Sequence, residues 1–307
     1  MDLYLLFHTV LMHISAAIVI LIYIPLSIPV KLFVWAFVKP LRKEDLRGKV
    51  VLITGASSGI GEELAYQYAK KGTCLSLVAR RKHALEGVAG RPGTRRAGLN
   101  HLVANAGAWS ICFFDEITNI TASTKMMDVN FWGSVYPTYY ALPHLKASKG
   151  KLIVSSSIAA TAPTSRLSLY NATKAAQLRF YETLRSELGS EVGVTTLTAG
   201  FVESEMTKGK AIQRDGEVAV DEEARDVQIG VFPVARVQKL CKAALNGIRR
   251  GDCPTRYTTP KKGSPPLSQR MLDTTGAKRF YPPSLRHHPG IKMETTGDHE
   301  EDAASNV

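Results

Sequence analysis

Cysteine is scarce in this sequence, with only Cys74, Cys112, Cys241 and Cys253 among 307 residues. Their spacing matches neither paired zinc-binding motifs nor the dense framework of a small disulfide-stabilised secreted domain. The four thiols are therefore expected to be reduced. An apolar fraction of 45% is enough for a sizeable core, and the length allows one large α/β domain with appendages or two small domains.

Charged side chains are nearly absent from the N-terminus, where Lys31 is the only one in residues 3–38. This apolar stretch exceeds the ~20 residues that a helix needs to cross a bilayer. Pro25 and Pro29 interrupt it, which predicts two apolar helical segments that meet at a bend. A bent hairpin suits the monolayer of a lipid droplet, and a tilted single span is the alternative. The length and the missing basic leader argue against a cleaved signal peptide.

Basic residues follow this stretch directly and outnumber the acids Glu44 and Asp45; they are Lys39, Arg42, Lys43, Arg47 and Lys49. By the positive-inside rule, this excess predicts that the folded part of the chain faces the cytosol. Two glycosylation sequons begin at Asn119 and Asn171. We interpret both as chance matches, because a glycan at Asn171 would obstruct the site described below.

Acidic residues are nearly missing from the C-terminal part, where Asp273 is the only one in residues 256–292. The net charge of +12 is partly concentrated there. No nucleic-acid-binding motif accompanies this basic excess, so we expect no nucleic-acid partner but a solvated tail attracted to anionic headgroups. Residues 259–307 are rich in Gly, Pro, Ser and Lys, which predicts that they are mostly disordered.

A glycine-rich turn, residues 54–61, stands between an apolar strand predicted at residues 50–53 and a helix predicted at residues 62–70. Glycines let the backbone approach a phosphate closely, and the start of a helix offers free N–H groups and positive potential. Because the turn directly follows an apolar strand, the sequence predicts a binding site for the pyrophosphate of a dinucleotide.

The second predicted strand, residues 74–79, is followed by Arg80 and Arg81. An NAD-binding site usually has an acid there to bond the ribose 2′-hydroxyl, whereas arginine suits a 2′-phosphate. The sequence therefore favours NADP(H), with NAD(H) as the alternative. A further buried strand begins at His101 and ends in a turn of small residues, 105–107, which can approach the cofactor.

Tyr170 and Lys174 are four residues apart, so a helix would place them one turn apart on the same face. A strand predicted at residues 151–155 and a short polar loop precede them. An ammonium group beside a phenol favours the phenolate, which predicts a lowered pKa for Tyr170. Such a phenol can exchange a proton with a substrate oxygen while a hydride moves at a nicotinamide.

Together these motifs resemble the classical short-chain dehydrogenases/reductases: residues 54–61 match the TGxxxGxG motif and residues 105–107 the NAG turn. The resemblance implies a catalytic set in which Ser157 orients the substrate oxygen and Asn130 helps to hold a proton-relay water. Tyr170 and Lys174 complete the set, and Lys174 also bonds the nicotinamide ribose. The implied cofactor-binding residues are Gly55, Ser57, Ser58, Gly59, Ile60, Gly61, Arg80, Arg81, Asn105, Ala106, Gly107, Tyr170 and Lys174.

Within that family the sequence most resembles the plant steroleosins, the 11-β-hydroxysteroid dehydrogenase-like proteins of oil bodies. The likeness lies in the proline-bent anchor and in residues 155–157, 170–172 and 225–234, and it extends to Tyr257. It implies oxidation or reduction of a hydroxysteroid or sterol, with residues 201–237 on the substrate side. It also implies a homodimer formed through the helices that contain Asn130 and Tyr170.

The sequence departs from the family at residues 80–100, which offer only a short helical start, residues 82–88, and a loop, residues 90–96. Family members have a further helix, strand and helix here. The predicted fold is therefore an α/β, Rossmann-type, doubly wound parallel sheet that lacks one edge strand and its flanking helices. We expect an open sheet edge, weaker folding and weaker adenine binding.

The sequence thus predicts three parts: an anchor at residues 1–38, a dehydrogenase domain at residues 46–258 and a polar tail at residues 259–307. The leading hypothesis is a membrane-anchored, NADP-preferring hydroxysteroid oxidoreductase of the lipid droplet or the endoplasmic reticulum membrane, without a metal. The alternative is a catalytically weak or inactive surface protein of the lipid droplet. An incomplete gene model of the enzyme would give the same sequence.

Overall fold

The computed structural model describes residues 3–33, 37, 43–81, 98–230, 232–251 and 255–257. Its strands are β1 (Val50–Thr54), β2 (Cys74–Val78), β3 (Leu99–Ala104), β4 (Lys151–Ser157), β5 (Gly193–Ala199), β6 (Lys210–Ile212), β7 (Val218–Val220) and β8 (Thr255–Tyr257). Its α-helices are α1 (Leu3–Ile18), α2 (Ile24–Phe33), α3 (Gly59–Ala69), α4 (Thr124–Met127), α5 (Gly133–Ser148), α6 (Ser168–Leu188), α7 (Glu222–Ile229) and α8 (Val237–Arg250). Shorter turns are π-helical at Val19–Tyr23 and Asp128–Trp132 and 3-10 helical at Phe114–Glu116, Ile158–Ala160 and Met206–Lys208.

Six strands form a parallel sheet in the order β2-β1-β3-β4-β5-β8. Strand β1 is an apolar run, as expected for a strand covered on both faces, whereas β5 also buries Thr195, Thr196 and Thr198. In β4 the side chains of successive residues enter different cores: Ile153 packs with α3 and α8, whereas Leu152 and Val154 pack with α5 and α6. The predicted doubly wound α/β sheet is confirmed.

Each face of the sheet is covered by one pair of helices. Leu64 and Tyr68 of α3 and Leu245 of α8 are buried on one face. Leu145 of α5 and Tyr181 of α6 are buried on the other. Full burial of side chains of this size contributes about 1.5–3 kcal/mol each, so these two layers are the main source of stability.

Strand β2 lies at one edge of the sheet and pairs only with β1 among the described strands. None of its residues is buried, and Val78 is 50% exposed. An edge of this kind is expected where a neighbouring strand and its helices are missing. The short helix and loop predicted within residues 82–96 lie outside the described residues, as do the third part of the chain, residues 259–307, and Cys253.

The N-terminal apolar stretch is helical, and the 27-residue segment Tyr4–Val30, in which an 18-residue window has a mean hydropathy of 2.3, is long and apolar enough to cross a membrane. Two α-helices were expected to meet at the prolines. In the structure they meet earlier, at the π-helical turn Val19–Tyr23, and helical conformation continues through Pro25 and Pro29. The choice between a hairpin and a single span stays a prediction.

Of the predicted reduced thiols, Cys74, Cys112 and Cys241 are free, as expected.

Glu44 fastens the segment that precedes β1 to the amino-terminal end of the sheet. Its carboxylate lies 2.7 Å from the amines of Lys49 and Lys151.

The Glu44 carboxylate also lies 3.3 Å from His101 Nε2, so it meets three nitrogen-bearing side chains. Burial alone would raise the pKa of Glu44. Hydrogen bonds from His101, Lys151 and Lys49 outweigh burial and hold this pKa well below its usual range. The carboxylate therefore links the start of β1 to β3 and β4 as a charged group.

Replacing this carboxylate, Glu44→Gln, is expected to lower the free energy of unfolding by about 1–3 kcal/mol near neutral pH, because Lys49 and Lys151 lose their partner. A carboxyl whose pKa falls on folding contributes stability above its unfolded-chain pKa of ~4.3, and this contribution is lost as the pH falls toward the folded-state value. Urea denaturation at a series of pH values should therefore show a difference that is constant above about pH 5 and narrows below about pH 4.

Asp45→Asn is the matched control for this substitution, because Asp45 pairs with Arg47 at the surface, where both side chains are more than half exposed. It should leave the free energy of unfolding nearly unchanged at every pH, because exposed ion pairs contribute little. A loss in Glu44→Gln that is the same at every pH would contradict the assigned charge.

Candidate active site

Polar turns meet at the carboxyl ends of β1, β3 and β4, the edge where ligands bind in open α/β sheets. The Thr54 hydroxyl accepts hydrogen bonds from the backbone N–H groups of Asn105 and Ala106, at 3.0 and 3.3 Å. The Asn105 amide donates to the carbonyls of Thr54 and Gly55, and its oxygen accepts from the Ser155 hydroxyl at 2.9 Å. Asn105 thus fixes three strand ends against one another.

The glycine turn is packed so closely that side chains would not fit. Gly55 has a φ of +66°, and a Cβ there would lie 2.8 Å from the Cα of Ala106. A Cβ at Gly61 would overlap the Gly55 carbonyl oxygen. Helix α3 begins within this turn, at Gly59, and its first N–H groups donate no hydrogen bond to the Ser58 side chain. These residues fit the pyrophosphate of a dinucleotide, since a close backbone approach and free N–H groups are what it needs.

Helix α6 brings Tyr170 and Lys174 to this edge, as predicted. Their side chains are buried, at 8% and 4% exposure. Lys174 Nζ donates to the Ser155 carbonyl at 3.0 Å and to Gln177 Oε1 at 3.2 Å. It also lies 3.8 Å from the position that a Cβ would take at Gly107, so the small-residue turn after β3 faces the amine.

The pKa of Tyr170 is raised above its ordinary value, mainly by burial, and a hydrogen bond with the Ser157 side chain lowers it only in part. The prediction that Lys174 lowers this pKa is wrong for these side chains as placed. The amine lies 6.0 Å from the Tyr170 ring centroid and directs its hydrogens at other acceptors. Burial also lowers the pKa of Lys174 to about 8.

Asn130 is fully buried in the π-helical turn before α5 and anchors the turn that follows β3. Its side chain accepts from the Ala108 N–H at 2.8 Å and donates to the Ala108 carbonyl at 2.9 Å. It also donates to the Thr173 hydroxyl at 2.8 Å. The Asn130 backbone carbonyl accepts from Gln177 Nε2 at 2.8 Å, so a side chain connects it to Lys174.

Gln177 was not predicted as a site residue, although it contacts both Asn130 and Lys174 and is fully buried. A signal was present in the sequence. Gln177 lies one turn beyond Lys174 on the helix face that carries Tyr170, and a buried face with a third polar residue indicates a hydrogen-bond partner there.

The predicted cofactor residues at the end of β2 are placed differently from each other. Arg80 is exposed. The Arg81 guanidinium donates to the hydroxyls of Ser57 and Ser58, at 3.2 and 2.9 Å, and to Glu205 at 3.1 Å. Arg81 is therefore joined to the glycine turn, as a cofactor-binding residue should be. Glu205 could not be predicted, because it lies 124 residues away in the sequence.

An apolar wall borders Tyr170 on its other side. Trp109 packs against it edge-on, with ring centroids 6.4 Å apart. The segment at residues 201–237, predicted to lie on the substrate side, contributes much of the remaining cluster. Its members there are Phe201, Met206, Ala211, Ile212, Ala224 and Ile229. Apolar side chains thus surround the buried phenol on this side.

Comparison with known proteins gives matches to the family described as short chain dehydrogenase at residues 49–97 and 93–215. The chain is 45% identical over 255 residues to 11-beta-hydroxysteroid dehydrogenase 1A of Arabidopsis thaliana, covering 74% of this chain and 72% of that protein. It is 41% identical over 313 residues to 11-beta-hydroxysteroid dehydrogenase A of Arachis hypogaea, covering 83% and 89%. The two family matches meet at residues 93–97, inside the region that departs from the expected pattern.

Solved structures share the fold. A 3-ketoacyl-(acyl-carrier-protein) reductase of Brucella melitensis complexed with NADH has a TM-score of 0.57 at 25% identity, covering 69% of this chain and 97% of that chain. A short chain dehydrogenase of Burkholderia cenocepacia in complex with NADP has a TM-score of 0.58 at 22% identity, covering 77% and 96%. The second likeness concerns the fold alone.

Gly55→Ala is expected to lower the free energy of unfolding by about 2–4 kcal/mol, because the new Cβ meets the Ala106 backbone at a positive φ. Gly98→Ala is the matched control, since no residue that the structure describes lies within 4 Å of a Cβ there. Thermal denaturation of both variants measures the effect. Equal stability of Gly55→Ala and the wild type would show that the glycine turn is not packed against the turn after β3 as described.

Proposed function

Because this chain belongs to the short-chain dehydrogenase family, whose members are NAD(P)-dependent oxidoreductases, we propose that it interconverts the hydroxyl and keto forms of a steroid or sterol with NADP(H). The observation that carries the proposal is that Tyr170 meets the Ser157 side chain and that Lys174 faces the turn after β3, which packs against the glycine turn. The relatives named 11-beta-hydroxysteroid dehydrogenase support the substrate class, at 41–45% identity.

In this proposal Tyr170 is the general acid and base. Its phenol donates a proton to the substrate oxygen during reduction and takes it back during oxidation, and the Ser157 hydroxyl orients that oxygen. When bound, the nicotinamide supplies or accepts the hydride at the substrate carbon. The Lys174 ammonium would bond the ribose of the bound nicotinamide, and Gln177, itself bonded to the Asn130 carbonyl, holds this amine in place.

The proposed preference for NADP(H) is supported by the charges at the end of β2. Arg80 and Arg81 follow this strand where an acid would stand in a site that prefers NAD. A guanidinium group can bind a phosphate through two parallel hydrogen bonds. Arg80 is the exposed member of the pair, and Arg81 already lies on the glycine turn.

The apolar wall beside Tyr170 supports a steroid or sterol as the substrate. A rigid fused-ring molecule exposes mostly apolar surface, and its single reacting oxygen needs a polar partner at one point. Trp109 and Ile212 supply buried apolar surface, and Tyr170 supplies the polar point. Pockets for such ligands combine these two features.

We also propose attachment to the lipid droplet or the endoplasmic reticulum membrane, with the dehydrogenase domain in the cytosol. The support is the apolar segment Tyr4–Val30, none of which is buried against the rest of the protein. A homodimer through α5 and α6 is supported by an exposed aromatic face on α5, where Tyr136, Tyr139 and Tyr140 are 58, 70 and 73% exposed.

A rival proposal, a catalytically weak surface protein of the lipid droplet, is favoured by one observation. Strand β2, which would lie beneath the adenine end of the cofactor, has no buried residue. The intact hydrogen-bond network around Lys174 favours the enzyme instead, because a buried amine with two acceptors in place is what the chemistry requires.

Tyr170→Phe is expected to lower the turnover of a ketosteroid with NADPH by about 10²- to 10⁴-fold, because it removes the proton donor. The dissociation constant of NADPH should change little. Tyr66→Phe is the matched control, since this residue is 39% exposed on α3. An unchanged rate in Tyr170→Phe would remove Tyr170 from the mechanism. A wild-type protein that neither binds NADPH nor turns over would support the rival.

The rate of ketosteroid reduction should fall as the pH rises through about 8, because burial lowers the pKa of Lys174 to about 8 and its ammonium form is lost above that value. Arginine stays protonated in this range. The decrease of kcat/KM with rising pH should therefore occur at a higher pH in Lys174→Arg than in the wild type, whatever the absolute rate of the variant. If kcat/KM decreases at the same pH in both proteins, the decrease belongs to a titrating group other than Lys174.

A further inference from the structure

A segment on the substrate side, residues 204–210, extends from the glycine turn to the apolar wall. At one end, the Ser204 Cβ lies 3.2 Å from the position that a Cβ would take at the first residue of α3. At the other end, the Lys210 carbonyl accepts a hydrogen bond from the Trp109 indole at 2.9 Å. Trp109 is the ring that packs edge-on against Tyr170. The segment therefore contacts both the proposed cofactor site and the proposed substrate site.

Glu205 joins this segment to the end of β2 through Arg81. One carboxylate oxygen of Glu205 lies 3.1 Å from Arg81 Nη1 and 3.0 Å from Lys210 Nζ. The other terminal nitrogen of Arg81 donates to the hydroxyls of Ser57 and Ser58. A continuous series of contacts thus leads from the glycine turn, through Arg81 and Glu205, to Lys210.

Arg80 and Arg81 are adjacent but are held differently. Within the described residues, no side chain is placed to bond the exposed Arg80 guanidinium, whereas Arg81 bonds three side chains. The side chains of Arg81 and Glu205 are 37% and 41% exposed, so a single contact between them contributes little. The shared carboxylate and the two serines make it part of a network, which is where partly exposed ion pairs do have an effect.

We propose that Glu205 is a positioning residue that fastens residues 204–210 to the glycine turn through Arg81 and so sets the position of Trp109 against Tyr170. This inference rests on the proposed function, in which Tyr170 acts on the substrate. The two arginines then have different roles: Arg80 is available to bind the phosphate of the cofactor, and Arg81 connects the glycine turn to the segment on the substrate side. Loss of Glu205 should therefore weaken substrate binding more than it slows the chemical step.

The first test needs no turnover. Amide hydrogen exchange of the full chain in detergent, measured by mass spectrometry without cofactor, compares the wild type with Arg81→Gln, Glu205→Gln and Arg80→Gln. The first two substitutions should speed exchange across residues 202–212 about 2- to 5-fold, the range for a partly exposed ion pair, and Arg80→Gln should leave it unchanged. Because both break the same contact, the double variant should exchange no faster than Glu205→Gln alone.

Unchanged exchange in both single variants, or effects that multiply in the double variant, would overturn the proposal.

The second test is kinetic: Glu205→Gln should raise KM for a ketosteroid at least about 3-fold and keep kcat within about 2-fold of the wild type, because it removes ground-state and transition-state binding equally. An unchanged KM also overturns the proposal. A wild-type protein without turnover would refute the proposed function, and the exchange experiment would still decide the role of Glu205.

Discussion

The buried amine of Lys174 is the constraint on which the geometry of the site depends. An ammonium group loses its hydration on burial and must be hydrogen-bonded by the protein instead. The Ser155 carbonyl at the end of β4 and the Gln177 amide on α6 meet this requirement. Since Gln177 also donates to the Asn130 carbonyl, one amine fixes the relation between a strand, a helix and the turn before α5. Tyr170, one helical turn earlier, is positioned as a consequence.

The two ends of the sheet carry separate polar systems. At the carboxyl ends, Thr54, Asn105 and Ser155 hold the turns of the site together. At the amino ends, the Glu44 carboxylate joins Lys49 and Lys151 beside the segment that leads to the apolar helices. Strand β4 takes part in both, because Lys151 begins it and Ser155 lies near its end.

Much of the fold could be predicted from the sequence, because buried parallel strands are short apolar runs and glycine turns follow them. The strand ending at Thr54, the helix from Gly59 and the spacing of Tyr170 and Lys174 are examples. The sign of the Tyr170 pKa shift could not be predicted, since it depends on where the Lys174 hydrogens point and on how deeply the phenol is buried. The Arg81–Glu205 contact could not be predicted either, because the two residues are far apart in the sequence and only the tertiary structure brings them together.

The central claim is that this buried network serves hydride transfer between a nicotinamide and a steroid carbon. Its most direct test is to incubate the purified full chain with a ketosteroid and NADPH carrying deuterium at both C4 positions, and to analyse the steroid by mass spectrometry. We expect a steroid alcohol with one deuterium on the carbinol carbon. A protein that binds the labelled cofactor and releases only unlabelled or unreduced steroid would contradict it.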